Sequence, residues 1–315
     1  MHYVDKVVIT TLVENYVDML IPDTDKVKRA GLASHFDPRK KKIRAENGIS
    51  FLLELFFGDY RSKVLFDAGL TGDTLLHNMS VLGISPNEID HAVISHGHPD
   101  HCGGLLGLLQ ARDYPLPVAL HPDAFITRYC VFGTGIVVPT YSQEFRKSEL
   151  EEAGGTLVLT RDPLQVAPAT FTTGEIPFQV PFEPPGPPGW NPLKCIRDGK
   201  LEDDHTLDDI AMAICVKDKG LIVLTGCAHA GIINSIRQAQ TVTGVKDIYA
   251  ILGGFHLGFP GVSDENVAQT INDLKRLKPS VVSPMHCSGF NTLATVAREM
   301  PDQFLLNTAG ARITL

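Results

Sequence analysis

The sequence predicts an α/β or mixed αββα fold from three observations. Strand and helix patterns alternate through the last hundred residues, two strands there are short continuous apolar runs, and the chain opens on a β-branched run at Val7–Val13. Continuous apolar strands are typical of a sheet that is covered on both faces. The 315 residues are 43% hydrophobic, which is enough for a large core. We expect a single domain over residues 1–315.

In the first third of the chain, the stretch at 21–46 is polar, basic and without periodicity, so we expect a lid or an insertion there. The helix predicted beside it ends at Gly83, because glycine suits the left-handed position beyond a helix end. The regular elements predicted in this part are strands at Val7–Val13, Ile49–Leu55, Lys63–Phe66 and Ile89–Ile94 and a helix at Asp73–Leu82.

The rest of the chain begins with a helix predicted directly after Gly103-Gly104, whose positive N-terminal end favours anions. The stretch at 124–150 shows no clear pattern. Residues 177–192 are rich in proline and glycine and predict a semi-rigid loop. The other predicted elements are strands at 118–121, 156–159, 171–176, 210–214, 221–225, 248–252 and 281–284 and helices at 231–241 and 264–277.

Composition excludes several functional classes. A formal net charge of −8 argues against a nucleic-acid surface. No apolar run reaches the roughly 20 residues of a membrane span, and the N-terminus lacks a signal-peptide core, so we expect a cytoplasmic protein without a membrane partner. Six cysteines in a chain of this length do not predict a disulfide scaffold. No feature of the sequence indicates an oligomeric state.

A dense run of metal-ligand residues follows the predicted strand at Ile89–Ile94. The run Ser95–Gly104 contains three histidines and an aspartate within six positions. Imidazole and carboxylate groups bind zinc, iron and manganese. A strand that ends in a glycine-bearing turn directs alternate side chains to one point, so we expect His96 and His98 to face one metal and Asp100 and His101 a second.

Three further histidines follow predicted strands, at His229, His256 and His286. Ligands in α/β sheets gather at the carboxyl ends of strands, so residues that are distant in sequence converge there. We therefore expect these histidines to lie near the Ser95–Gly104 run.

The pattern HxHxDH followed by a late strand-end histidine resembles the metallo-β-lactamase superfamily. That resemblance implies a four-layer αββα sandwich with one or two metals between its sheets. Six phrases are also similar to the branch named for dihydropterin ribofuranosylaminobenzene-phosphate synthase: Glu46–Ser50, Leu65–Gly69, Ser95–Gly104, Thr225–Gly231, Gly253–His256 and Pro284–Cys287.

The resemblance implies a set of metal ligands: His96 and His98 for the first metal, and Asp100, His101 and His286 for the second. The chain then departs from the family pattern, because Cys227 stands where a bridging aspartate is usual. We expect His229 to complete the first set. Cys227 is either a thiolate ligand or a small packing residue, so one or two Zn²⁺ ions are expected, with Mn²⁺ or Fe²⁺ as alternatives.

Three residues are expected around these ligands. His256 is predicted to contact substrate, to orient a ligand or to fill the core, and Asp67 and Glu175 are candidates for orienting ligands.

The reaction expected first is hydrolysis. A bound metal lowers the pKa of water towards neutrality, and Asp100 is the expected catalytic residue acting on that water. The substrate is expected to be a small anionic ester or phosphodiester. The first alternative, implied by the branch, is a transferase that joins a pterin methyl diphosphate to an aminobenzene ribofuranosyl phosphate with loss of pyrophosphate. The second is a diiron redox or metal-dependent binding module.

Overall fold

Two large sheets form the centre of the molecule. The computed structural model of the chain describes residues 3–29, 36–131, 137–139, 145–184 and 193–315. The first sheet has eight strands, of which the last four in spatial order run parallel. In spatial order its strands are β2 (Val27–Lys28), β18 (Arg312–Thr314), β1 (Lys6–Val13), β3 (Ser50–Phe57), β4 (Tyr60–Phe66), β5 (His91–Val93), β6 (Leu116–Leu120) and β9 (Gly155–Leu159).

The second sheet has six strands and ends in three parallel ones. In spatial order these are β10 (Gln165–Ala167), β11 (Thr170–Thr172), β14 (Ala211–Val216), β15 (Gly220–Thr225), β16 (Ile248–Gly254) and β17 (Val281–Met285). A smaller sheet contains β13 (Lys200–Asp203), β12 (Leu193–Arg197), β7 (Thr127–Val131) and β8 (Val137–Pro139).

Helices cover the outer faces of both large sheets. Along β3 the side chains of Phe51, Leu53 and Leu55 belong to the core shared with the second sheet, whereas Leu52 packs into a second core under the helices of the first sheet. This alternation is the period of two expected for a strand. The helices over the first sheet are α1 (Gly72–Leu82), α2 (Pro99–Cys102), α3 (Leu105–Gln110) and α4 (Lys147–Glu152); those over the second are α5 (Ile232–Thr243), α6 (Asp264–Leu277) and α7 (Gly289–Glu299).

The predicted four-layer αββα arrangement is confirmed. Helix α6 has the predicted bounds, the Ser263 hydroxyl at its N-cap accepts a hydrogen bond from the Asn266 N–H, and Gly83 ends α1 in a left-handed conformation. Among the described helices, none combines the length and apolar character needed to cross a membrane.

Several segments differ from the sequence predictions. The strand predicted at 171–176 is β11, which ends at Thr172. The stretch at 21–46 is not wholly irregular, because Val27–Lys28 extends the first sheet; its residues 30–35 lie outside the described residues. In the loop predicted at 177–192, residues 185–192 lie outside them as well.

Candidate metal centre

The predicted ligands meet where the carboxyl ends of strands from both large sheets face each other. Strands β4 and β5 and helix α2 of the first sheet provide Asp67, His96, His98, Asp100 and His101. Strands β15, β16 and β17 of the second sheet end just before the remaining residues, which are Cys227, His229, His256 and His286.

Three histidines form one half of the centre. His96 Nε2 lies 3.0 Å from His98 Nδ1 and 3.2 Å from His229 Nε2. Burial lowers the pKa of His98 to about 4 and the pKa values of His96 and His229 well below their usual range, so all three imidazoles are neutral. Neutral imidazoles with facing ring nitrogens are suited to a shared metal.

The other half contains Asp100, His101 and His286. His286 Nε2 lies 3.1 Å from Asp100 Oδ2, and His101 Nε2 lies 3.9 Å from Asp100 Oδ1. Burial alone would lower the pKa of His101, but the carboxylates of Asp100 and Asp67 raise it to about 9. Without a cation, His101 therefore carries a proton that a metal would displace.

Cys227 lies between the two halves. Its Sγ is 3.1 Å from His101 Nε2. It belongs to three groups of donor atoms that each lie within 4.8 Å of one another: His96, Cys227 and His229; His101, Cys227 and His286; and Cys227, His256 and Cys287. Burial raises the pKa of its thiol well above the usual range, so the thiolate form needs a cation beside it.

Asp67 and Glu175, both expected near the ligands, have different surroundings. Asp67 Oδ2 accepts a hydrogen bond from His101 Nδ1 at 2.7 Å and fixes that ring. Glu175 instead accepts hydrogen bonds from His121 and Arg161, and within the described part of the chain no residue of the histidine cluster donates to it.

In the acidic pair Asp208-Asp209, Asp208 supports the turn after His96 and Asp209 lies close to the His96 ring, placements that the sequence did not reveal. Asp208 Oδ2 accepts from the Gly97 N–H at 2.8 Å and is paired with the buried Arg128. Gly97 is required there, because a Cβ would lie 2.1 Å from the Ala124 carbonyl oxygen. Asp209 Oδ1 lies 4.0 Å from His96 Nδ1, and burial raises the Asp209 pKa to about 8. The only sequence signal was their position just before a strand.

Asn15, just after β1, was also not predicted. Its Oδ1 lies 3.0 Å from His286 Nδ1, so it can accept the proton of that nitrogen and leave Nε2 directed at Asp100. Asn15 belongs to no recognisable motif, so its contact with His286 could not be predicted from the sequence.

The turns at this edge adopt an uncommon backbone conformation. Asp67, Ala228, His256 and His286 all have φ between 49° and 59°. Left-handed backbone at a non-glycine residue costs about 1–3 kcal/mol and is frequent at functional sites.

The donor set fits one or two divalent metals. Buried imidazoles, a carboxylate and a thiol converge here, with the histidine and cysteine donor atoms in groups that lie within 4.8 Å of one another, and such nitrogen, oxygen and sulfur donors suit zinc, manganese and iron.

Comparison with known proteins agrees with this geometry. Residues 46–189 match the family model of the metallo-β-lactamase superfamily. The chain is 32% identical to the 7,8-dihydropterin-6-methyl-4-(β-D-ribofuranosyl)-aminobenzene-5'-phosphate synthase of Methanocaldococcus jannaschii, over 93% of this chain and 98% of that one. It is 31% identical to an uncharacterised protein of the same organism, over 82% and 90% of the two chains.

Solved structures share the fold. A metal-dependent hydrolase of the β-lactamase superfamily superposes with a TM-score of 0.73 at 24% identity, with 98% of both chains covered. Zn²⁺-bound PqqB of Methylobacterium extorquens superposes with a TM-score of 0.51 at 14% identity, covering 98% of this chain and 99% of that one. By its sequence relatives, its fold and the convergence of its histidines, the chain belongs to the metallo-β-lactamase superfamily.

Proposed function

We propose that the chain is a metallohydrolase that cleaves a small anionic ester or phosphodiester. The observation that carries the proposal is the pair of adjacent donor sets, with His96, His98 and His229 in one and Asp100, His101 and His286 in the other. We assign zinc to these sets, one or two ions, with Cys227 between them. When bound, the metal supplies Lewis-acid activation of water and an attraction for negative charge.

Asp100 is the proposed catalytic residue. Its side chain is 29% exposed, whereas those of His101 and Asp67 are fully buried. Burial by itself would raise the Asp100 pKa, but His101 and His286 lower it well below its usual range, so Asp100 is ionised at neutral pH. An ionised, accessible carboxylate beside the reacting centre can orient a water and accept its proton.

The test compares zinc-loaded wild type with Asp100→Asn in hydrolysis of bis(p-nitrophenyl) phosphate. We expect the substitution to lower kcat at least about 100-fold, the range for loss of a positioned general base. Asp113→Asn, at an exposed aspartate three residues after the end of α3, serves as the control and should retain full activity. Equal activity in Asp100→Asn and wild type at equal zinc content would contradict the role of Asp100.

A transferase is the second candidate, favoured by the 32% identity to the synthase over nearly the whole chain. The uncharacterised protein of the same organism is almost as similar, so identity of this degree does not by itself assign the reaction. In a transferase the same donor sets would hold a diphosphate leaving group.

One pair of assays separates the two candidates. Release of pyrophosphate from a pterin methyl diphosphate in the presence of the aminobenzene ribofuranosyl phosphate, without phosphodiester hydrolysis, would support the transferase. Turnover of neither substrate by fully zinc-loaded protein would contradict both.

A further inference from the structure

Two consecutive residues of the first sheet hold one candidate ligand of the second sheet. Glu14 and Asn15 follow strand β1, and His286 follows strand β17. Glu14 Oε1 accepts a hydrogen bond from the backbone N–H of His286 at 3.2 Å. Asn15 Oδ1 lies 3.0 Å from His286 Nδ1, and Asn15 Nδ2 donates to the His286 carbonyl oxygen at 3.4 Å. The amide, the carbonyl and the ring of His286 therefore all contact this pair.

His286 needs such support because of its backbone conformation. Its φ is 49°, in the left-handed region that residues other than glycine rarely occupy. A residue in that region keeps its conformation only where the surrounding structure fixes it. Glu14 binds the N–H on one side of the His286 Cα atom, and Asn15 binds the carbonyl on the other side. These contacts set the direction in which the imidazole leaves the main chain.

Glu14 is placed as a residue that orients a neighbour rather than one that stabilises the fold. It is fully buried, and its Oε2 has no hydrogen-bond partner among the described residues. A buried carboxyl group with an unpaired oxygen lowers stability, and an apolar side chain of similar size would avoid that loss. What a glutamate offers here, and an apolar residue does not, is an acceptor for the His286 N–H.

The same framework reaches Asp100, the neighbour of His286 in the second donor set. The Glu46 N–H donates to the Glu14 carbonyl oxygen at 3.1 Å, and the Ile49 N–H donates to the Asp100 carbonyl oxygen at 3.1 Å. This short segment joins the residues that hold His286 to the main chain of Asp100. The two side chains are thereby kept in register, with Asp100 Oδ2 3.1 Å from His286 Nε2.

We propose that Glu14 and Asn15 are positioning residues that hold His286 as a metal ligand facing Asp100. The inference rests on the proposed function, because it concerns a ligand of the same metal centre. Glu14 acts through the His286 N–H, and Asn15 acts through the ring and the carbonyl. Loss of either residue should release His286 from the metal and leave the ligands of the first donor set in place.

NMR of the zinc-loaded full-length chain, labelled with ¹⁵N at histidine, tests the proposal. Long-range ¹H–¹⁵N correlation spectra distinguish a metal-bound ring nitrogen from a free one, and His286→Gln identifies the His286 signals. We expect His286 Nε2 to be zinc-bound in the wild type and free in Glu14→Leu, while the rings of the first donor set stay zinc-bound. A free Nε2 in the wild type, or a bound one in Glu14→Leu, would overturn the inference.

A conservative variant separates the hydrogen bond from general packing. Glu14→Gln keeps an acceptor oxygen, so it should keep His286 on zinc with an affinity within about threefold of the wild type. Glu14→Leu should bind the zinc at His286 at least about tenfold more weakly, in competition with a chelator. Equal losses in the two variants would contradict a role through this hydrogen bond. Glu54→Leu, at another buried glutamate of the first sheet, is the matched control and should leave the His286 signals unchanged.

Variants at Asn15 decide the question if Glu14→Leu does not fold, which the loss of all zinc-bound signals would reveal. Asn15 is half-buried, so Asn15→Leu is the milder change, and it should also release His286. Asn15→Asp keeps an acceptor for Nδ1 and should retain the zinc-bound ring. A zinc-bound His286 in Asn15→Leu would overturn the inference.

Hydrolysis of bis(p-nitrophenyl) phosphate by the wild type is scored separately. If His286 responds to the variants as expected but neither hydrolysis nor transfer occurs, the proposed function alone fails. If hydrolysis occurs but His286 stays on zinc in both leucine variants, this inference alone fails.

Discussion

At the scale of single residues, Cys227 links the two donor sets, since its Sγ belongs to groups that contain His229 on one side and His286 on the other. A thiolate carries one negative charge, as the usual carboxylate does, but it is a softer donor that favours zinc. Because burial raises the pKa of this thiol well above its usual range, a metal that took Cys227 as a ligand would have to displace the thiol proton.

Cobalt substitution tests this role. Co²⁺-loaded wild type should show a thiolate-to-cobalt charge-transfer absorption, and Cys227→Ala should lose it and bind the metal at least about tenfold more weakly, as for loss of a ligand or its support. Cys287→Ala, at the neighbouring thiol, is the matched comparison and should keep the band. Persistence of the band in Cys227→Ala, or its loss in Cys287→Ala alone, would assign the thiolate to Cys287.

The sequence predicts those candidate site residues that share a motif or repeat a position, and the fold brings them together. His96, His98, Asp100 and His101 lie within six consecutive positions, and the later histidines all follow strands. Asn15 and Asp209 reach the site only through the fold, so no local pattern marks them. Glu175 has the expected residue type after a strand, but β14 separates its strand, β11, from β15, and Arg161 and His121 bind its carboxylate.

At the scale of elements, helix α5 begins at the metal centre without a capping side chain of its own. Gly231 precedes it with φ of 96°, and a Cβ there would lie 2.2 Å from Glu183 Oε2. Glu183 caps the helix from outside, since its carboxylate accepts from the N–H groups of Ile233 and Asn234 at 2.9 Å. Burial raises the pKa of Glu183 to about 7, although these two hydrogen bonds by themselves would lower it.

Because this pKa is raised, we expect the free energy of unfolding to depend on pH. The folded state holds the Glu183 proton up to about pH 7, whereas the unfolded chain loses it near pH 4.5, so the Glu183 contribution to the free energy of unfolding falls as pH rises across that window. The fall is at most about 3 kcal/mol. Denaturation of wild type and Glu183→Gln by urea between pH 4.5 and 8 should show the wild type losing stability relative to the variant.

The comparison has a control at an exposed site. Glu151→Gln on helix α4 should follow the wild-type pH dependence. Parallel pH curves for wild type and Glu183→Gln would refute the assigned pKa.

Helices and strands that are long, apolar or well capped were predictable from the sequence, whereas short elements with polar and apolar residues in no regular order were not. The buried strands β14 to β17 and helix α6 carry strong patterns. Strand β13 is exposed at all four positions, so it shows no alternation, and β18 has only three residues. The lack of alternation in β13 is one reason that the smaller sheet was not predicted, and the short length of β18 left that strand of the first sheet unpredicted.

At the scale of the whole molecule, a metal at the centre would tie the two large sheets together, because each donor set takes ligands from both. His229 joins His96 and His98, and His286 joins Asp100 and His101. A ligand that binds only the folded state stabilises it, by about 2.7 kcal/mol at 100 times its dissociation constant.

Removal of the metal should therefore lower the melting temperature. We expect chelation to lower the wild-type Tm by several degrees, about 2 °C or more for each kcal/mol, in differential scanning calorimetry. His229→Ala should show a smaller difference between its zinc-loaded and chelated forms, and His205→Ala, at an exposed histidine that belongs to neither donor set, should show the wild-type difference. A chelation shift in His229→Ala as large as that of wild type would contradict a bond between the sheets through His229.

The turns at the ends of β15, β16 and β17 have a consequence for how this centre changes over evolutionary time. The first sheet presents its donors in one continuous segment, where any insertion would disturb several at once. The second sheet presents them on separate turns, so a single codon can exchange one donor without moving its neighbours. Position 227 lies on one of these separate turns, so a change of donor there would alter the candidate centre while the His96–His101 segment keeps its place after β5.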